Sequence, residues 1–207
     1  MEKKRLIIAF GGEAEHGKST CASLTEEYLK SRSTLPIQIL AFAERLKQAC
    51  MILFRLTPKD VYTTRGKAAV QPHLGENATA RKILQKVGSE VCRDFLPRVL
   101  PEVKPLREQS IWVWNIDQDI QEHSESHIIV QDLRFPDEEK MLRTHGAVIV
   151  KVVRPGYGNC RPGYGNCIYQ HQSETAQASI RSDYVIVNDQ GIEELKRKVY
   201  ELLEKLA

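Results

Sequence analysis

Short apolar runs recur along the chain, separated by longer segments in which apolar residues return every three or four positions. Brief runs rich in branched residues are typical of strands buried on both faces of a parallel sheet, whereas the longer spacing is typical of amphipathic helices. We predict strands at Arg5–Phe10, Pro36–Phe42, His127–Asp132, Gly146–Val153 and Asp183–Asp189. We predict helices at Lys18–Lys30, Ala43–Leu56, Thr79–Arg98, Ser110–His123 and Ile192–Leu206.

Two segments follow neither pattern. Residues 57–78 mix turn residues with scattered charges, which predicts a loop-rich insertion, and the sequence PEVKP at residues 101–105 predicts a break. Strands that alternate with helices indicate an α/β fold with a mainly parallel central sheet between helices.

Composition narrows the class of protein. The chain has 207 residues, 28% of them charged, which suits one domain or one domain with an inserted lobe. A net charge of +3 is too small to favour bulk binding to nucleic acid. No apolar run approaches the roughly 20 residues of a membrane span, and the apolar stretch Leu6–Phe10 is too short for a signal peptide. We therefore expect neither nucleic acid nor a membrane as a partner.

The cysteines suggest a reducing compartment. There are five of them, an odd number. Cys21, Cys50 and Cys92 fall in predicted helices, and their spacing matches no metal-binding or redox motif. We interpret them as free thiols and expect a cytoplasmic location, which is the host cytoplasm if the protein is viral.

A phosphate-binding motif follows the first predicted strand and precedes a predicted helix. In GGEAEHGKST, Gly12, Gly17, Lys18 and Ser19 match G-x-x-x-x-G-K-[ST]. Glycines let the backbone N–H groups curl around phosphate oxygens, Lys18 is predicted to reach the β- and γ-phosphates, and Ser19 to hold Mg²⁺. The nucleotide-binding residues are thus predicted to be Gly12, Glu13, Ala14, Glu15, His16, Gly17, Lys18, Ser19 and Thr20.

The motif and the strand pattern together predict a P-loop three-layer α/β/α fold; an ordinary glycine turn is the alternative to a phosphate loop. Glu13 and Glu15 are unusual beside a polyanion, so we predict that they point to solvent and that the backbone makes the phosphate contacts.

A second candidate group stands at the end of the third predicted strand, in HIIVQDLRFPDE. Asp132 could orient Mg²⁺ or its waters, and Arg134 could reach phosphate oxygens between donor and acceptor. The alternative is that Asp132 caps a helix that has Pro136 at an early position, and that Arg134 is a surface charge.

The chain resembles the deoxynucleoside monophosphate kinases of phages and large DNA viruses. The resemblance rests on blocks in order: the phosphate loop, AFAERLK (Ala41–Lys47), ARKILQKVGSEVCRDF (Ala80–Phe95), VQDLRFPDE (Val130–Glu138), GAVIVKVVRPG (Gly146–Gly156), HQSE (His171–Glu174) and DYVIVNDQGIEEL (Asp183–Leu195). It implies phosphoryl transfer from ATP, with Mg²⁺, to a deoxynucleoside 5′-monophosphate. The catalytic residues that it implies are Lys18, Asp132, Arg134 and Arg154.

The same resemblance implies an acceptor site near Phe42, Lys47, Arg81, Gln85 and Arg93. Arg81 and Gln85 share a helical face by their spacing, and their side chains suit phosphate and a base edge respectively. A solvated helix face is the alternative for any one of them. Two departures from the family pattern stand out: Ser19 follows the lysine where Asp is frequent, and AFAERLK lacks an Asp-Pro-like pair.

One seven-residue unit, RPGYGNC, is written twice without change at Arg154–Cys167. The resemblance implies a lid at about residues 154–181 that closes over the phosphates, with Arg154 as a phosphate contact and Arg161 as its duplicate. His171 and Glu174 are implied as substrate-binding residues. The alternatives are a duplicated surface loop and a zinc clip that would use Cys160, Cys167 and His171.

These interpretations combine into one P-loop kinase domain, 1–207, with an acceptor-binding insertion at about 43–125 and the lid. The main alternative activity is that of a small-metabolite phosphate kinase resembling phosphomevalonate kinase. A non-catalytic nucleotide switch is less favoured, because the sequence has no N-K-x-D segment after a strand. Exposed helices leave a homodimer open.

Overall fold

Five parallel strands form a single sheet in the computed structural model, which describes residues 5–157 and 176–206, apart from the side chain of Ala178. The strands are β1 Ile7–Gly11, β2 Ile37–Leu40, β3 His127–Leu133, β4 Val148–Val153 and β5 Tyr184–Val187. Their order across the sheet is β2-β3-β1-β4-β5, and each neighbouring pair is parallel. The predicted α/β fold with a parallel sheet is confirmed.

Among the described residues, helices account for most of the chain between β2 and β3 and for the segments after β1, β3 and β5. They are α1 Lys18–Arg32, α2 Glu44–Phe54, α3 Pro58–Tyr62, α4 Thr64–Ala68, α5 Ala80–Lys86, α6 Leu96–Val99, α7 Lys104–Glu108, α8 Ile111–Glu122, α9 Pro136–Thr144 and α10 Ile192–Leu206. A π-helix, Val87–Phe95, joins α5 to α6, and 3₁₀ turns stand at Pro72–Leu74 and Ala176–Ser179.

The chain divides into two units. The sheet unit, Met1–Ala41 with Ile116–Ala207, contains all five strands together with α1, α9 and α10. Its central strand β1 is buried along its whole length, as expected for a parallel strand covered on both faces. On one face, Phe10 and Val152 pack in a core with Leu29 of α1 and Val199 of α10.

The helical unit, Phe42–Asn115, has a small core of its own that includes Leu46, Cys50 and Val61. The indole N–H of Trp112 donates to the Gly88 carbonyl at 2.8 Å, which ties α8 to the π-helix. A β-carbon on Gly88 would lie 2.7 Å from a methyl group of Leu46, so the π-helix and α2 approach closely there.

The helical unit departs from the sequence prediction in two places. Residues 57–78, predicted as loop-rich, contain α3, α4 and a 3₁₀ turn. Asp60 accepts hydrogen bonds from the backbone N–H and the hydroxyl of Thr57, and this cap stabilises a helix that is too short to show periodicity. The helix predicted at Thr79–Arg98 has a π-helical middle, and the short helix α7 begins at Lys104, within the segment predicted as a break.

The described cysteines are free, as predicted. Burial raises the pKa of the Cys21 thiol to about 12 and that of Cys50 to about 11, so neither ionises readily near neutral pH. Cys160 and Cys167 lie outside the described residues. Over the described ranges, no helix is both long and apolar enough to cross a membrane.

Candidate active site

The predicted phosphate loop connects the carboxyl end of β1 to the amino end of α1. Gly12 has φ 133° and Gly17 has φ 101°, conformations that side chains with a β-carbon rarely adopt. A β-carbon on Gly12 would lie 2.3 Å from the Val152 carbonyl oxygen, and one on Gly17 would lie 2.7 Å from the Asn188 side-chain nitrogen. The two glycines are therefore required both by backbone conformation and by close contact with the ends of β4 and β5.

Lys18 is held inside this loop. Its residue is 8% exposed, and its ammonium donates to the carbonyl oxygens of Gly12 and Glu13, both at 2.6 Å. These contacts place a positive charge within the curve of the loop, where the motif requires it for phosphate binding.

The amino end of α1 suits an anion. Gly17 is its N-cap, no side chain of the described residues caps it, and its first turn carries no acidic residue. Free N–H groups at a helix amino end and the helix dipole both favour phosphate. Ser19 is exposed and Thr20 half-buried in this turn. Glu13 and Glu15 are exposed, but Glu15 also lines a cavity beside Lys18.

His16 was predicted only as one residue of the loop, but the structure gives it a distinct place. It is 6% exposed, and its ring nitrogens face two carbonyl oxygens: Nδ1 lies 3.2 Å from that of Val152 and Nε2 lies 3.0 Å from that of Tyr157. The Asn188 side chain donates to the His16 carbonyl at 3.0 Å. No local sequence signal indicates these contacts, because all three partners are distant along the chain.

Arg154 begins a tight turn after β4. The Tyr157 N–H donates to the Arg154 carbonyl at 3.1 Å, and Pro155 and Gly156, with φ 76° at the glycine, are typical of a type II turn. The Arg154 guanidinium lies 3.8 Å from the centroid of the Tyr157 ring, a cation–π contact. The first copy of the repeat thus begins with a fixed arginine.

Several of these residues line one cavity of about 430 Å³. Glu15 lines it from the phosphate loop, and Lys18 and Ser19 from the start of α1. Arg154 lines it from the turn after β4, Asn188 from the segment after β5, and Ile192 from the start of α10. The positive charges of Lys18 and Arg154 and the exposed apolar side chain of Ile192 suit a phosphorylated ligand with a less polar portion.

Asp132 and Arg134 stand at the carboxyl end of β3, which pairs with β1 through Leu133 and Gly11. The alternative in which Asp132 caps the next helix is wrong: the N-cap of α9 is Phe135, and Pro136 begins the helix. The Glu138 carboxylate accepts from the backbone N–H of Arg134 at 2.8 Å and from that of Phe135 at 3.1 Å. The capping role therefore falls to Glu138.

The acceptor residues implied by the resemblance lie in the helical unit. Phe42 is buried and Lys47, Gln85 and Arg93 are half-buried, whereas Arg81 is exposed. Arg81 and Gln85 belong to α5, and Arg93 belongs to the π-helix, where α-helical spacing no longer applies. His171 and Glu174, and Arg161 of the second repeat, lie outside the described residues.

Glu44, which departs from the family pattern, organises a polar cluster. Its carboxylate accepts from the Tyr62 hydroxyl and from Gln48 at 3.2 Å, and lies 3.6 Å from the Lys47 ammonium. That ammonium also lies 4.8 Å from the centroid of the Tyr62 ring. Lys47 is therefore held between a carboxylate and an aromatic face.

The hydrogen bond to Glu44 raises the pKa of Tyr62 to about 12. Because the folded value lies above the unfolded one, the contact stabilises the folded protein below about pH 10 and is lost as pH rises through 12. We expect Glu44→Gln to lower the pKa of Tyr62 towards 10, measured by the absorbance of the phenolate during titration. Tyr62→Phe identifies the transition by removing it. If Tyr62 still ionised near pH 12 in Glu44→Gln, the hydrogen bond to Glu44 would not be the cause of the raised pKa.

Comparison with known proteins gives consistent findings. The family model for deoxynucleotide monophosphate kinase matches residues 68–199. A curated protein of Acanthamoeba polyphaga mimivirus, named "Putative deoxynucleotide monophosphate kinase", is 31% identical over 196 residues, which cover 94% of this chain and 93% of that protein.

Solved structures show weaker likenesses. TT1252 from Thermus thermophilus is 19% identical with a TM-score of 0.48, covering 99% of this chain and all of its own. The Mycobacterium tuberculosis APS kinase CysC in complex with AMPPNP and APS is 13% identical with a TM-score of 0.45, covering 97% of this chain and 98% of its own.

Proposed function

The chain belongs to the deoxynucleotide monophosphate kinase family and is a kinase, and on this premise we propose that it transfers the γ-phosphoryl group of ATP to a deoxynucleoside 5′-monophosphate. The observation that carries the proposal is the cavity in which Lys18, at the curve of the phosphate loop, and Arg154 line one space. Two cations beside a helix amino end suit the negative charge of a transferring phosphoryl group.

The loop supports binding of the donor. Backbone N–H groups at the start of α1 bind phosphate oxygens, and Lys18 exchanges its carbonyl contacts at Gly12 and Glu13 for the β- and γ-phosphates. Because the protein forms no covalent bond in such reactions, catalysis consists of positioning and of charge stabilisation. In our proposal Arg154 and Arg134 stabilise the charge on the transferred group.

Mg²⁺ is the metal that this proposal includes. Within residues 5–157 and 176–206 no group of three or more His, Cys, Asp and Glu side chains could hold a metal ion. Mg²⁺ at phosphate loops takes most of its ligands from phosphates and water, so the hydroxyl of Ser19 and the carboxylate of Asp132 form a suitable protein contribution. When bound, the ion would neutralise phosphate charge.

The helical unit supplies the proposed acceptor residues. Phe42 offers an apolar surface for a base, Gln85 an amide for a base edge, and Arg81, Arg93 and Lys47 offer positive charge for the acceptor phosphate. His171 and Glu174 complete the proposed set, and residues 154–181 are proposed as the lid. We also propose a cytoplasmic location; a homodimer remains a prediction.

The proposal is tested by ADP release with ATP and Mg²⁺. The acceptors are dTMP, dGMP, dCMP, dAMP, their ribonucleotide counterparts and phosphomevalonate, presented in parallel, and a Lys18→Ala preparation controls for contaminating kinases. Turnover with one or more deoxynucleotides, absent from the control, is the expected result. Activity with phosphomevalonate alone would support the alternative kinase, and binding of ATP without any turnover would favour a nucleotide switch.

A further inference from the structure

We infer that His16 is a positioning residue for Arg154: its ring fixes the Tyr157 carbonyl, and through it the turn that carries the arginine, to the phosphate loop. The inference rests on the proposed function, because it concerns the alignment of Arg154 with a nucleotide held by that loop. The motif leaves the position before Gly17 open to many residues, so a buried histidine there requires an explanation.

The first step is the contact itself. Both ring nitrogens of His16 face carbonyl oxygens, that of Val152 at the end of β4 and that of Tyr157 beyond it. A neutral imidazole has one N–H, so it donates to only one of these two carbonyls. In the Nε2–H tautomer, on which our inference rests, the ring donates to the Tyr157 carbonyl and links it to the phosphate loop. At 6% exposure, water competes little for these contacts.

The second step leads from Tyr157 to Arg154. The hydrogen bond between the Tyr157 N–H and the Arg154 carbonyl closes a turn that links the backbones of these two residues. The Tyr157 ring then supports the guanidinium at 3.8 Å. An anchor on the Tyr157 carbonyl therefore limits the position of the Arg154 charge.

The backbone of His16 is held by contacts that do not involve its ring. Asn188 holds the His16 carbonyl from the segment after β5, and Gly17 packs against that same asparagine side chain. A substitution that changes only the ring thus leaves the path of the phosphate loop supported. The role of the ring can be measured by itself.

Two substitutions distinguish the two contacts of the ring. The amide of glutamine reaches about as far as Nε2 of histidine, and the amide of asparagine about as far as Nδ1. His16→Gln can therefore keep the contact with Tyr157, whereas His16→Asn can keep only that with Val152. If the role is to position Arg154, His16→Gln retains kcat within about threefold, while His16→Asn loses about tenfold or more with little change in the KM for ATP.

Arg154→Ala provides the background that connects the effect to the arginine. In that background His16→Asn is expected to lower kcat by less than about twofold, because the group that it positions is already gone. Tyr157→Leu, at an exposed position, removes the ring and keeps the carbonyl; it should also lower kcat severalfold, with Tyr157→Phe as its matched control. Tyr157→Leu and Tyr157→Phe together test the link between Tyr157 and Arg154 even if His16→Asn does not fold.

Several results would overturn the inference alone, given an active wild-type protein. In His16→Asn, these results are an unaffected kcat, or a raised KM for ATP with kcat unchanged. Between the two His16 variants, the contradicting result is a kcat kept by His16→Asn but lost by His16→Gln. The remaining two are a double variant whose loss of kcat is the product of the His16→Asn and Arg154→Ala losses, and a wild-type kcat in Tyr157→Leu. A wild-type protein that is silent with every acceptor would instead overturn the proposed function, and this inference with it.

Discussion

Lys18→Ala is expected to lower kcat by about 10²–10³-fold, the loss that follows removal of a donor aimed at developing transition-state charge. The ammonium is buried in the curve of the loop at 2.6 Å from two carbonyl oxygens, and in our proposal a bound donor replaces these contacts before the transfer step. A cation that needs no reorganisation at the moment of transfer contributes more than one recruited from solvent. The loss is measured as steady-state ADP release at saturating ATP.

A lysine on the same helix gives the matched control. Lys30 lies near the end of α1 and is exposed, with its ammonium 2.7 Å from the Glu26 carboxylate. Because exposed ion pairs contribute little to stability, Lys30→Ala should keep wild-type kcat and an unchanged melting temperature. If Lys18→Ala retained kcat within twofold of wild type while remaining folded, the phosphate-binding role of Lys18 would be wrong.

Gly12→Ala is expected to destabilise the protein by about 2–4 kcal/mol, measured by urea denaturation. Part of the loss is backbone strain, since alanine rarely adopts the φ of 133° found here, at about 1–3 kcal/mol. The rest is steric: the new β-carbon would lie 2.3 Å from the Val152 carbonyl oxygen, which is backbone and has no rotamer to change. Relief of the clash would also displace the phosphate loop from β4.

Gly146→Ala separates these two contributions. Gly146 also has positive φ, 73°, but a β-carbon there meets nothing within 4 Å. It should therefore show strain alone, at about 1 kcal/mol. Equal destabilisation by the two substitutions would mean that the loop moves away from β4 at no cost, and that the close contact does not hold the loop in place.

The strands were predictable because burial on both faces leaves a direct trace in sequence. A run such as IIAF at the start of the chain is apolar at every position and is fully buried in β1. The order of the strands left no such trace. It depends on pairings such as that of Ile37 with His127, which are distant in sequence and are determined by packing of the whole sheet.

The helical unit was less predictable, for two separate reasons. The helix α3 is too short to show hydrophobic periodicity, yet TPKD contains a helix-start signal. Proline is the first helical residue, and the aspartate accepts a hydrogen bond from the N-cap threonine. The π-helix at Val87–Phe95 has no comparable local signal. Its geometry accompanies tertiary contacts, among them the Trp112 indole on the Gly88 carbonyl.

One part of the candidate site was also predictable from the sequence, and another part was not. The phosphate loop was readable because its chemistry is contained in a few consecutive residues, from Gly12 to Ser19. The contacts of His16 were not, because Val152 lies at the carboxyl end of β4 and Tyr157 in the turn after it, both distant from His16 along the chain. Local motifs identify which groups a site contains, whereas their alignment is a property of the tertiary structure.

The separation of β2 from β3 along the chain has a consequence for folding kinetics. The two strands are hydrogen-bonded neighbours, but about 90 residues lie between Ile37 and His127, and the helical unit occupies most of that interval. The entropy of closing so long a loop must be lost before the pairing stabilises anything. Since the helical unit has an apolar core of its own, we expect it to collapse early and shorten the effective loop, so that β2 joins the sheet last.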